Sequence, residues 1–322
     1  MEQHDSTEHR QALEQAKQEV VERFGPWQYY NIHLGDGVYT MERGLVGPLE
    51  MRVQRMSQIV SDLLGDRLRD SRILDLGAHE AGFAIDLALR GAEVLALEGR
   101  DKNVAKAKFA KEALTLSRLS IQKGDVRDLD PAVVGHFDVV LCLGLLYHLD
   151  ASEAVPLLEK LASLCSGFMV LETVVSLSPK TRITVGDKQV SGKHFRDPTK
   201  LLRGSQTRRS FVLTKPSLFN LLRAAGFSSV LEIRSPMISE VAAYQDGASL
   251  VAAKGKPLEP ISTPELKALP DEAWTWPEKA RRKVTPAQGT RHMLKAMIDR
   301  ARGKNPALAM FGKRRLRAGS ER

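Results

Sequence analysis

The sequence predicts an α/β fold, with a mostly parallel seven-stranded sheet, helices on both faces and a helical N-terminal extension. Three observations predict it. From Arg72 onward, short apolar runs alternate with amphipathic stretches. The middle runs, FDVVLCLG (137–144) above all, are almost continuously apolar, as strands covered on both faces must be. The last two runs are joined without an evident helix, which predicts an antiparallel pair.

Each element has its own signal. In residues 6–24, Leu13, Ala16, Val20, Val21 and Phe24 line one helical face, and Gly25-Pro26 stops the run. An aromatic segment follows, with Trp27, Tyr29 and Tyr30, and then a turn at Leu34-Gly35-Asp36-Gly37. Residues 48–64 read as a second helix. Strands are expected at 72–78, 92–98, 119–124, 137–144, 167–175, 229–234 and 248–255. Helices are expected at 81–90, 101–116, 152–164 and 217–226, the last capped by Ser217 and ended by Gly226. Residues 176–215 break the alternation as a polar insertion, and 256–286 read as a Pro-rich linker. The expected organisation is a cap at 1–44, a core domain at 45–255, and a linker with a basic tail at 256–322.

Composition excludes several classes. At 43% hydrophobic and 27% charged, the 322 residues read as an ordinary globular protein. No apolar run approaches the roughly 20 residues that cross a bilayer. The charged N-terminus lacks the apolar stretch of a secretory signal, so a cytoplasmic location is expected. Two cysteines, Cys142 and Cys165, suggest neither a disulfide framework nor a zinc site, and no metal is expected. The net charge of +9 is misleading. Residues 279–322 hold 14 Lys or Arg against Asp299 and Glu321, so the tail carries +12 and the remainder about −3.

The chemistry gathers at strand ends. Asp75-Leu76-Gly77-Ala78-His79-Glu80-Ala81-Gly82-Phe83 joins the first core strand to a helix, and its glycines allow close backbone approach to a ligand. Glu98 ends the next strand, where a carboxylate accepts from both ribose hydroxyls. Asp125-Val126 follows the third, with an acceptor for an adenine amino group and an apolar contact for the ring. An adenosine ligand accounts for all three. A dinucleotide is disfavoured, because its G-x-G-x-x-G signature has a glycine where His79 stands. S-adenosylmethionine (SAM) has no pyrophosphate and needs no such approach; Asp75 would help to hold its amino-acid end, directly or through water.

DLGAHEAGF, ALEGR, GDVRDL and FDVVLCLGLLYHL follow one another in a way that resembles the class I SAM-dependent methyltransferases, over roughly residues 45–255. The resemblance implies a Rossmann-like seven-stranded sheet with an antiparallel last strand, and SAM as cofactor. It implies cofactor contacts from Asp75, Gly77, Ala78, Gly82, Glu98, Gly99, Asp125, Val126 and the end of the fourth strand. Leu143-Gly144-Leu145-Leu146-Tyr147-His148, with LGDGVYT upstream, is similar to the branch containing the tRNA wobble-uridine carboxymethyl-transfer enzymes. That branch implies cofactor contacts near Leu143 and from the Tyr147 hydroxyl. The RNA- and carboxylate-handling region of those enzymes is not recognisable, so ordinary SAM is expected.

Candidates for catalysis follow the fourth strand. His148 is the candidate general base and Tyr147 its neighbour; a supporting role in the loop is the alternative for His148. Asp150 would accept from Ser152 or begin the next helix. Glu172 either faces substrate or lies at an edge. Trp27, Tyr29 and Tyr30 form either a lid or packing for the first helix. His194, Phe195 and Arg196 lie in the insertion, the expected specificity element over the site. TRHMLKAMIDRAR (290–302) has the pattern of a basic amphipathic helix, suited to RNA or an anionic surface, or else of a solvated extension. Three functions are thereby open: methyl transfer to a small-molecule or saccharide-like acceptor, methyl transfer to RNA gripped by the tail, and non-catalytic SAM binding. The oligomeric state has no signature in the sequence.

Overall fold

The computed structural model describes residues 2–41, 48–196, 209–233, 247–255 and 266–268. An N-terminal helix, α1 (Glu2–Phe24), leads to a two-stranded hairpin, β1 (His33–Gly35) and β2 (Val38–Tyr39), turning at Asp36-Gly37. Helix α2 (Pro48–Leu64) precedes the core domain. There the order is β3 (Arg72–Leu76), α3 (Gly82–Leu89), β4 (Glu93–Glu98), α4 (Asp101–Ala113) and β5 (Leu119–Lys123). The short α5 (Pro131–Val134), β6 (Phe137–Leu143), α6 (Ala151–Leu164) and β7 (Cys165–Val174) continue it.

The main sheet runs β13-β11-β12-β7-β6-β3-β4-β5, with β11 (Ser229–Ile233), β12 (Gly247–Ala253) and β13 (Leu266–Ala268). Strands β3 to β7 are parallel, and β12 lies antiparallel to both β7 and β11. The seven expected strands form this Rossmann-like sheet. Strand order reverses between β3 and β6, so the crevice at their carboxyl ends is the place where such a sheet binds ligands.

Alternation along the strands divides the core into two layers. Leu74, Leu76, Val140 and Cys142 pack on the side of α6 and α7 (Lys215–Ala224). Ile73, Val94, Val139, Leu141 and Val170 pack on the side of α2, α3 and α4. Asp75 follows Ile73 on that second face, and Glu172 follows Val170. Register pairs Asp75 with Leu141 and Leu143 with Glu172. Two acids thus share the face covered by α2, and the pattern of the strands alone places them there.

Three differences from expectation stand out. Leu266–Ala268, inside the expected linker, adds an eighth strand antiparallel to β11; three residues are too few for a period-2 pattern to show. The insertion is no plain loop. It folds as a three-stranded antiparallel sheet of β8 (Thr181–Val185), β9 (Lys188–Arg196) and β10 (Arg209–Leu213). Helix α7 (Lys215–Ala224) starts earlier than Ser217: Thr214 is its cap and accepts from Ser217 N, while Pro216 sits harmlessly in the first turn. The Ser217 hydroxyl instead accepts the Ser191 N–H at 2.8 Å. The basic tail, the 290–302 pattern and Phe311 lie outside the described residues.

The insertion sheet is tightly packed at Gly192. A Cβ on Gly192 would sit 2.3 Å from the Val212 carbonyl oxygen and 2.6 Å from the Phe211 ring. Backbone cannot yield there, so Gly192→Ala is expected to cost about 1–3 kcal/mol of stability. Urea denaturation of the variant checks this, and an unchanged midpoint refutes it.

Candidate active site

The loop after β3 is built on positive φ angles. Gly77, His79 and Ala81 have φ of 63°, 57° and 62°. Only glycine adopts such angles freely, so the two side-chain-bearing residues must be held by partners. Glu98 is one. Its Oε2 accepts the His79 N–H at 2.9 Å, and its Oε1 accepts Arg100 N, Arg100 Nε and Asn103 Nδ2. The loop after β3 and the end of β4 are therefore one unit, and Glu98 is buried at its centre.

Glu80 is the other. It is fully buried, and its carboxylate accepts the backbone N–H groups of Gln28, Tyr29 and Tyr30. Lys106 Nζ reaches Glu80 at 3.3 Å and Pro26 O at 2.6 Å. Burial pushes the Lys106 ammonium below its ordinary range, against the opposing pull of Glu80. This pair fastens the aromatic segment onto the loop. Trp27 packs on Phe109 and Lys106, the Tyr29 ring lies 3.7 Å from that of His79, and Tyr30 meets Phe83 edge-on. Of the expected lid, Trp27 belongs to helix packing, while Tyr29 and Tyr30 border the loop.

Gly82 has a different reason from the one its motif suggests. A Cβ there would lie 2.4 Å from the Tyr30 ring. The close approach at this position is made by the protein's own tyrosine.

Asp75 is buried, and its Oδ2 has no hydrogen-bond partner in the fold. Burial raises its carboxyl to about 7; Glu98 pushes the same way, while Arg52 and the Ala84 backbone oppose. Asp125 is already engaged. Its Oδ1 accepts Arg127 N and Nε at 2.9 Å each, and Arg127 also donates to Glu153 at 2.7 Å. These bonds from Arg127 hold the Asp125 carboxyl below the usual range. Its remaining lone pairs are fewer than the sequence suggests. Val126 is buried in the same core layer as Leu97 and Leu146, and Gly99 faces the Gly124 carbonyl. Ala78 donates to Leu97 O at 3.1 Å.

Beyond β6, Leu146–His148 forms one 3-10 turn. His148 is buried, with its ring centroid 4.1 Å from that of Tyr147. Asp150 caps α6 in a capping box with Glu153, its role as a helix start. The insertion is tied to this segment: Phe211 N donates to Leu149 O at 2.9 Å, and the His194 ring meets Phe211 edge-on. Leu143 is buried at the strand end. Glu172 is neither free nor at a sheet edge. It forms a two-pronged pair with Arg52 of α2, at 3.1 Å and 2.7 Å. Sequence reasoning misses Arg52, Lys106 and Arg127. Their partners lie 120, 26 and 2 residues away, and only the last spacing is visible locally. Among the described residues no cluster suits a metal ion, and no helix is long and apolar enough to cross a membrane.

Comparison with known proteins bears on the fold. Residues 73–166 match the family model of a methyltransferase domain. The N-terminal domain of EvdMO1, solved with SAH and D-fucose, superposes with a TM-score of 0.58 at 26% identity, over 75% of this chain and 97% of that one. Magnesium-protoporphyrin O-methyltransferase of Synechocystis is 30% identical over 156 residues, 48% of this chain and 64% of that protein. The chloroplastic magnesium protoporphyrin IX methyltransferase of Arabidopsis thaliana is 31% identical over 131 residues, 41% of this chain and 40% of that protein. The chain thus spans less than two thirds of either curated relative. The fold is that of the SAM-dependent methyltransferases.

Two outcomes are expected. Lys106→Met strands a buried carboxylate and should cost about 3–5 kcal/mol; adding Glu80→Gln should recover much of it, as chemical denaturation of both variants will measure. Asp75 titrates at about 7 when folded and near its ordinary ~3.9 when unfolded. The folded state keeps a proton that the unfolded state has lost, so this group lowers stability as pH rises from ~4 to ~7. Relative to wild type, Asp75→Asn should gain stability across that window and show no further gain above it.

Proposed function

We propose that this chain is a SAM-dependent methyltransferase acting on a small, saccharide-like acceptor. One observation carries the cofactor reading: the His79–Glu98 hydrogen bond makes the glycine loop and the ribose-type acid a single structure at the sheet's carboxyl edge. Saccharide-like acceptance is supported by the D-fucose in the EvdMO1 structure. The likeness to tRNA wobble-uridine enzymes rests on short segments, and neither curated relative described above is named as such an enzyme. An RNA acceptor has one observation in its favour, the +12 charge of residues 279–322.

The residues fit the cofactor. The unpartnered buried Asp75 Oδ2 suits the ammonium of its amino-acid end. Gly77, Ala78, Gly99, Leu143 and the Tyr147 hydroxyl would line it, with Gly82 behind them. Glu98 would take the ribose, and Asp125-Val126 the adenine. When bound, SAM supplies a methyl group on a sulfonium, an electrophile that needs no metal. The chain's task is to align the acceptor oxygen and exclude water. A sugar hydroxyl must lose its proton, and His148 is the proposed base, oriented by the adjoining Tyr147 ring.

Calorimetry with SAM tests the cofactor site. Glu98→Ala and Asp125→Ala should each weaken binding by about tenfold or more, as expected when a hydrogen-bonding partner is lost. Unchanged affinity in both variants would sink the assignment. His148→Ala should lower kcat by about 10²-fold with SAM affinity retained, measured as SAH release. Transfer to RNA that disappears on deleting 279–322 would favour the second reading instead.

A further inference from the structure

We propose that the Arg52–Glu172 pair is the acceptor-recognition element, and that it selects a neutral polyhydroxylated acceptor over a carboxylated one. This rests on the methyltransferase reading above. The pair stands where the acceptor must be. Glu172 lies opposite Leu143, and its carbonyl accepts the Gly144 N–H at 2.8 Å. Gly144 has φ 83° and no side chain. A Cβ there would lie 3.7 Å from Arg52 Nη2 and 3.9 Å from the Tyr147 hydroxyl. A guanidinium, a phenol and a carboxylate therefore converge on the end of β6, beside the segment that carries His148.

The two charged pairs bordering the site differ in kind. Lys106 and Glu80 are closed off, at 2% and 0% exposure. Arg52 and Glu172 remain 22% and 27% exposed. The first is built into the fold; the second keeps a face open. It is also rigid. Glu172 grips one edge of the guanidinium, and the Phe83 ring lies 4.9 Å from its carbon.

The chemistry of the open face follows. The fork engages Nε and one hydrogen of Nη2, which leaves the second Nη2 hydrogen, next to the carboxylate, and the Nη1 group as donors. Each Glu172 oxygen has a lone pair beyond the fork. Donor and acceptor side by side, with no net charge, complement a hydroxyl that accepts from Arg52 and donates to Glu172, or two neighbouring hydroxyls. A carboxylate would gain from Arg52 but lie against Glu172, and a partly desolvated like charge is a strong means of rejection.

Two probes isolate this difference. D-fucose and D-galacturonate share their ring hydroxyl configuration and differ at C6, a methyl in one and a carboxylate in the other. Transfer from methyl-labelled SAM should favour D-fucose by about tenfold or more in kcat/KM, the scale at which hydrogen-bonding sites discriminate. Glu172→Gln should raise the KM for D-fucose about tenfold with a smaller change in kcat, and should narrow the preference. Arg52→Lys keeps the charge but loses the fork, and should raise KM likewise. SAM affinity by calorimetry should be unchanged in both variants, which excludes a collapsed site. Preference for D-galacturonate, transfer to neither sugar with SAM bound, or an unchanged KM in Glu172→Gln overturns the proposal. A wild-type protein that does not bind SAM overturns the methyltransferase reading itself.

Discussion

The Glu80 carboxylate is the constraint on which the site depends. A fully buried charge is costly unless it is paired and hydrogen-bonded. Three consecutive backbone amides and the Lys106 ammonium meet that requirement. Satisfying it pins residues 26–30 against the loop after β3, which places the Tyr30 ring on Gly82 and the Tyr29 ring on His79. The loop is thereby held from outside by the cap and from inside by Glu98. Its positive φ angles at His79 and Ala81 persist because both neighbours fix them.

The same logic organises the opposite side of the crevice. The reversal of strand order between β3 and β6 leaves a gap between their loops. Leu145 fills its base, 3.4 Å from where a Cβ on Gly77 would stand. Above it, Arg52 crosses from α2 to Glu172 on β7. Arg52 also sets the field felt by Asp75, partly offsetting the burial that raises that acid. The acid proposed to hold the cofactor and the proposed acceptor-facing pair are therefore linked through one guanidinium. The insertion sheet joins this side through Phe211 and Leu149, so the segment bearing Tyr147 and His148 is held between two sheets.

Much of the fold was legible in the sequence because its signals are local. Seven apolar runs marked seven strands, and Asp36-Gly37 marked the hairpin turn. The insertion was less legible. β8 is alternately exposed and half-buried, with a weak apolar stripe, although its pairing with β9 across the two-residue turn at Gly186-Asp187 is local. For the site, position at strand ends was enough to single out Asp75, Glu98 and Asp125. Their partners were not. Arg127 beside Asp125 is the exception, two residues away and in plain view.

What the sequence determined by itself was periodicity, turn chemistry and the placement of acids at strand ends. These depend on neighbours in the chain, and they suffice for an α/β sheet with a ligand crevice. What only the tertiary structure decided was which charges meet. Glu80 finds Gln28, Tyr29, Tyr30 and Lys106, and Glu172 finds Arg52 across 120 residues. The glycine at 82 shows the division well. The motif requires a small residue there, but only packing reveals that the space is kept for Tyr30. Burial makes such pairings obligatory, and burial is a property of the folded chain.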